Sequence, residues 1–100
     1  MTAKQIEKAY QKRVKAIQAL PDNTMFYWQS YGYVGNLLNL WRIGNAGYTT
    51  DIEEAQKYTK EQTLGQLACR RDQDDFWLVD DLIPAAKLTV DHQNVKGKRY

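Results

Sequence analysis

The stretch MFYWQSYGYVGNLLNLWRI, residues 25–43, decides how the fold is read. Its aromatic and branched side chains favour an extended backbone. Side chains alternate along a strand, so over 26–33 Phe26, Trp28 and Ser30 share one face. Tyr27, Gln29 and Tyr31 share the other, and Gly32 and Gly35 bend or end the strand. A second strand is expected over 37–43, with Leu38 and Leu40 on one face and Trp41 and Ile43 on the opposite one. Apolar residues on both faces place it inside a sheet rather than at an edge.

Working toward the N-terminus, Ile6, Tyr10, Val14, Ile17 and Leu20 recur every three or four residues. That spacing predicts one apolar face of a helix over 1–20. Thr2 and Gln5 form a capping box at its start, and Pro21 with Asp22-Asn23 ends it in a turn. Lys4, Lys8, Lys12 and Lys15 fall on the face away from the apolar stripe.

Toward the C-terminus lies LWRIGNAGYTTDIEEAQKYTKEQ, residues 40–62. Gly44, Asn45 and Gly47 suit a tight turn that needs positive φ. Thr50 and Glu53 have capping-box spacing, and Asp51 suits a first helical turn, so a short helix is expected over 51–58. Thr59 and Gln62 form another box, opening a helix over 60–70 with Leu64, Leu67 and Ala68 as its apolar stripe. RDQDD, residues 71–75, reads as a solvated loop and FWLV, residues 76–79, as a buried strand. Pro84 confines any nearby helix to its first turn. An edge strand is expected around 88–90, and residues 95–100 read as a flexible basic tail. The chain is therefore expected to be a single α+β domain over 1–100. Its long N-terminal helix packs on a three- to four-stranded antiparallel sheet with two short helices.

Composition narrows the function classes. With 43% apolar residues and 12% aromatics, 100 residues suffice for one independent core. No apolar run is long enough to span a bilayer, and the charged N-terminal segment does not resemble a secretory signal. Cys69 is the single cysteine, which excludes an internal disulfide and a multi-cysteine metal site. A cytoplasmic location follows as the expectation. The net charge of +2 is unevenly spread: residues 1–50 and 92–100 are basic, and residues 51–91 are acidic.

Catalytic groups are sparse. A nucleophile–base pair would have to join His92, beside Asp91, to Ser30 or Cys69. No glycine elbow surrounds Ser30, and Cys69 reads as a half-buried thiol next to Arg70 and Arg71. Glu53-Glu54 point different ways on a helix. Asp72, Asp74 and Asp75 lack the glycine and closing glutamate of a calcium loop. No nucleotide-binding glycine motif occurs, so the reading is a non-enzymatic protein with no cofactor and no metal. Two binding classes remain. One is a protein-binding surface of Trp41, Arg42, Tyr48, Trp28 and Tyr31, because aromatic and arginine side chains dominate interface energetics. An acidic strip over 72–81 is a further surface for a basic partner. The other class is nucleic acid, held weakly by Lys4, Lys8, Lys12, Lys15, Lys96, Lys98 and Arg99. A homodimer is left open.

The residues Trp41, Arg42, Gly47, Tyr48, Thr49, Asp51, Ile52, Glu54, Ala55, Tyr58 and Thr59 resemble a module in small uncharacterised proteins of bacteriophages, prophages and mobile elements. Residues 88–95, LTVDHQNV, resemble an ending seen in some of them. The likeness covers about residues 34–95, and Gln56 departs from the glycine expected there. It implies a protein acting in the bacterial host cytoplasm by binding a host protein complex. Inhibitors of defence systems such as CRISPR–Cas are one group of that kind.

Overall fold

The computed structural model describes residues 2–34, 37–45, 47–70, 74–85, 90, 95 and 97–100. A helix, α1 (Ala3–Gln18), leads into a long strand, β1 (Met25–Val34), and then β2 (Leu37–Trp41). A 3-10 turn (Ile43–Asn45) joins β2 to the short β3 (Tyr48–Thr49). The chain continues through β4 (Lys57–Thr59), α2 (Lys60–Cys69), β5 (Asp75–Leu78) and the single-turn α3 (Val79–Leu82), followed by a 3-10 turn (Ile83–Ala85). The fold is α+β, as the alternation and helical spacings predict, and the described residues form five strands in one antiparallel sheet.

β1 is the hub of that sheet. Gln29 is paired with both Leu40 of β2 and Asp75 of β5, so these strands flank β1 on opposite sides. Phe26 and Tyr27 are paired with both β4 and β5, which puts β4 on the β2 side. The β1–β2 register shifts between Gln29 and Tyr33, the interval that contains Gly32. There a glycine admits the local irregularity that a bulge needs.

Both faces of β1 are apolar, and both are covered. On one face Phe26 and Trp28 pack with Ile17, Tyr58, Leu67 and Phe76, and Tyr10, Val14 and Leu20 of the α1 side close over them. On the other face Tyr27 packs with Leu38, Leu40, Ala55, Trp77, Val79, Leu82 and Val90. Two buried indoles find acceptors, as an amphipathic ring requires. Trp28 Nε1 donates to Thr63 Oγ1 at 2.9 Å, and Trp77 Nε1 donates to Gln29 Oε1 at 2.8 Å.

Capping follows the sequence at two helix starts. Thr2 with Gln5 and Thr59 with Gln62 make complete capping boxes. The far end of α1 is closed by a residue from another element. Lys60 Nζ donates to the backbone oxygens of Gln18 and Leu20 at 2.9 and 2.7 Å, and lies 3.4 Å from Asp22. A cation there answers the partial negative charge of a helix C-terminus.

Three expectations are corrected. The helix expected over 51–58 is a turn followed by β4. Glu54 N–H donates to the Asp51 oxygen and Ala55 N–H to the Ile52 oxygen, three residues back. Thr49 Oγ1 and Asp51 Oδ1 accept from the backbone two residues ahead, closing local turns that compete with a helix. Residues 54–56 instead join the end of β2: Arg42 pairs with Ala55, and Gln56 N–H donates to the Trp41 oxygen. Second, Val79 opens α3 rather than ending a strand. Third, the tail expected to be flexible pairs with β5. Phe76 and Tyr100 exchange both backbone hydrogen bonds, and Arg99 pairs with Trp77. Of the edge strand expected at 88–90, residues 88 and 89 lie outside the described residues; the Val90 oxygen accepts from Leu38 N–H at 2.9 Å.

Candidate functional site

The turn between β2 and β3 is shaped by two glycines at positive φ, Gly44 (76°) and Gly47 (93°), as the GNAG stretch predicts. The turn carries Ile43 out of the sheet, where it is 56% exposed. Ile83, 50% exposed, emerges from the 3-10 turn after α3. These two side chains and the half-buried Ile52 line one groove of about 790 Å³. Tyr27 and Ala55 also border it, and Glu53 and Lys57 contribute one charge of each sign. The Arg42–Glu54 ion pair, 2.8 Å, stands beside it, its members adjacent in sequence to Ile43, Glu53 and Ala55.

The aromatic residues singled out from the sequence divide. Tyr48 is 45% exposed, its ring edge-on to Trp41 at 5.2 Å. Trp41 is partly buried, edge-on to Trp28 at 6.0 Å and with the Arg70 guanidinium 5.5 Å from its ring. Its Nε1 is buried and has no hydrogen-bond partner among the described residues. Arg42 is exposed and paired with Glu54. Trp28 is not a surface residue: it is 7% exposed, stacked on Tyr58 at 3.5 Å and hydrogen-bonded to Thr63. Tyr31 lies in β1, and its side chain is outside what the structure describes. The fold thus brings Trp41, Tyr48 and Arg70 together and leaves Trp28 beneath them as core. The sequence reading missed Ile43, Ile52 and Ile83, although Ile43 beside Gly44 and Ile83 before Pro84 both stand where regular structure stops.

The acidic stretch is likewise divided. Asp74 is 2% exposed, 3.3 Å from Arg70 Nε, and accepts from Gln66 Nε2 at 2.9 Å. It is therefore a buried carboxylate paired with the partly exposed Arg70 rather than part of a solvated strip. Arg13 donates to the backbone oxygens of Asp74 and Tyr100 at 2.6 and 3.2 Å and lies over the Phe76 ring. Burial pulls the Arg13 pKa below its usual value, while Asp75 and Asp74 act to raise it. Asp75 lies 3.6 Å from Arg99. Asp72, Arg71, Asp91, His92 and Lys96 lie outside the described residues. Cys69 is exposed rather than half-buried, and Ala68 is exposed too, because α2 turns Thr63 and Leu67 toward the core.

Among the described residues no His, Cys, Asp and Glu group is arranged to hold a metal ion, and no helix is long and apolar enough to cross a membrane. No family model, no curated protein and no solved structure matches the chain.

Proposed function

We propose that this protein acts by binding another protein, seating an apolar segment of that partner in the groove walled by Ile43, Ile52 and Ile83. The observation that carries this reading is the meeting of two exposed isoleucines from distant parts of the chain at one concavity. Exposed large apolar side chains are ordinary when scattered; collected around a groove they mark an interaction surface. Glu53 and Lys57 give the rim both signs, so apolar burial rather than net charge would drive binding. The Arg42–Glu54 pair supplies the polar periphery typical of an interface rim. The likeness to small proteins of phages and mobile elements makes a host protein complex, a defence complex among them, the natural partner.

The test compares the tagged protein with an Ile43→Asp, Ile83→Asp double variant in affinity capture from nuclease-treated bacterial lysate. Both side chains are half-exposed, so the variant should stay folded, which its unfolding midpoint checks. A stoichiometric protein retained by the parent and by Lys12→Glu, but lost from the groove variant, is the expected result. Equal retention by all three would remove the groove from the account.

A further inference from the structure

The fold brings the two basic regions of the sequence together. Tyr100 is paired with Phe76 at the β5 edge, and Arg13 of α1 reaches over to the Tyr100 backbone oxygen. The C-terminal segment is thereby laid alongside α1. Between them lies a cleft of about 300 Å³ bordered by Lys12, Arg13, Lys98, Arg99, Asp75 and Tyr100. Lys12 also borders a second groove, of about 670 Å³, along the exposed side of α1 with Lys8 and Lys15. Counting α1, β5 and the described C-terminal residues, seven cations stand against Glu7 and Asp75, with the buried Asp74 adjoining Arg13 and Asp81 against Gly97. Asp75 is itself close to Arg99. The whole chain carries only +2, so the remainder is net acidic and this side is a concentrated positive field.

We propose that this cleft, continued along the lysine face of α1, binds the phosphate backbone of single-stranded nucleic acid. Lysines four residues apart recur about every 6 Å along a helix axis, which suits a linear polyanion better than a single small anion. Tyr100 borders the cleft, its ring edge-on to Phe26 and 4.9 Å from Lys98 Nζ, and an aromatic residue beside a cationic groove is a single-strand feature. An anionic membrane surface fits less well. An amphipathic helix binds bilayers with its apolar face, and α1 uses Tyr10, Val14 and Ile17 against the sheet. The exposed large apolar residues among those described, Ile43, Tyr48 and Ile83, belong to other elements. The cleft shares no lining residue with the isoleucine groove, so the two proposals stand or fall separately.

Fluorescence anisotropy with a labelled single-stranded oligonucleotide of about 16 nucleotides, the upper site size of one small domain, tests this. The logarithm of affinity should fall linearly with the logarithm of salt concentration, with a slope of about −0.7 per phosphate neutralised. Lys12→Glu with Lys98→Glu should weaken binding about tenfold or more and flatten that slope, as loss of phosphate contacts does. The milder Lys12→Gln, Lys98→Gln pair should fall in between, and Lys57→Glu, in the other groove, should change nothing. Affinity that ignores salt, or is unchanged in both paired variants, would overturn the proposal. So would binding to phosphatidylserine vesicles as tight as to the oligonucleotide.

Discussion

Lys60 shows how much of this molecule depends on single polar contacts between distant elements. From the sequence it is one more lysine at a helix start, where a cation is electrostatically misplaced. In the fold its ammonium serves the other helix, closing the last carbonyls of α1 and tying α2 to the α1–β1 turn. Lys60→Met keeps the stem and removes the charge. It should cost about 1.5–3 kcal/mol, the range for hydrogen bonds to charged groups, read as a lower urea midpoint with unchanged slope. Thr63 is a second case. Nothing in the spacing of Leu64, Leu67 and Ala68 marks a threonine as core, because its burial is fixed by the Trp28 indole from β1. Its hydroxyl accepts from Trp28 and donates to the Thr59 oxygen at 2.8 Å. Thr63→Val leaves the buried Trp28 indole N–H without its acceptor, and should cost about 1–3 kcal/mol by the same measurement.

At the scale of elements, what was legible was what local chemistry settles. The apolar face of α1, the two complete capping boxes, the alternation in β1 and the glycine turn are all decided by neighbours within a few residues. The segment expected as a helix over 51–58 carries cues that two structures share. Thr, Asp and Glu at those spacings can open a helix or close Asx- and Thr-based turns. The choice fell to pairing: Gln56 N–H donates to the Trp41 oxygen and Ile43 N–H to the Glu54 oxygen, contacts that no local pattern reveals. The groove was hidden for the same reason, since it exists only once this turn brings Ile52 to the same concavity as Ile43 and Ile83. Gly47→Ala places a Cβ at positive φ with open space around it, so the cost is conformational only, about 1–2 kcal/mol. The C-terminal segment carries its own prediction. The amides of Phe76 and Tyr100 should exchange slowly with deuterium, as paired edge amides do, and rapid exchange at both would restore the tail to solvent.

The whole molecule has its apolar residues on both faces of one sheet, and this sets its response to alkali. Burial raises the pKa of Tyr27 and of Tyr58, which sit on opposite faces. A tyrosine whose folded pKa is raised binds its proton more tightly when folded. Its stabilising contribution is full below the unfolded value near 10 and is lost as pH rises toward the folded value. Stability toward urea should therefore hold from pH 8 to about pH 9.5 and decline above 10, and Tyr27→Phe with Tyr58→Phe should make that decline shallower. The sequence supplied the α+β class and two candidate surfaces. It did not supply the hub role of β1, which needs β4, or the joining of the two basic regions, which needs Tyr100 beside Phe76.

The central claim is that the isoleucine groove receives a protein. The most direct measurement places a photo-crosslinking residue in place of Ile43, and separately Ile83 or Gln11, in the protein expressed in bacterial cells. The account predicts one and the same protein adduct from positions 43 and 83 and none from position 11, on the exposed side of α1. No adduct at either groove position, or an equal yield of that adduct from Gln11, would contradict it.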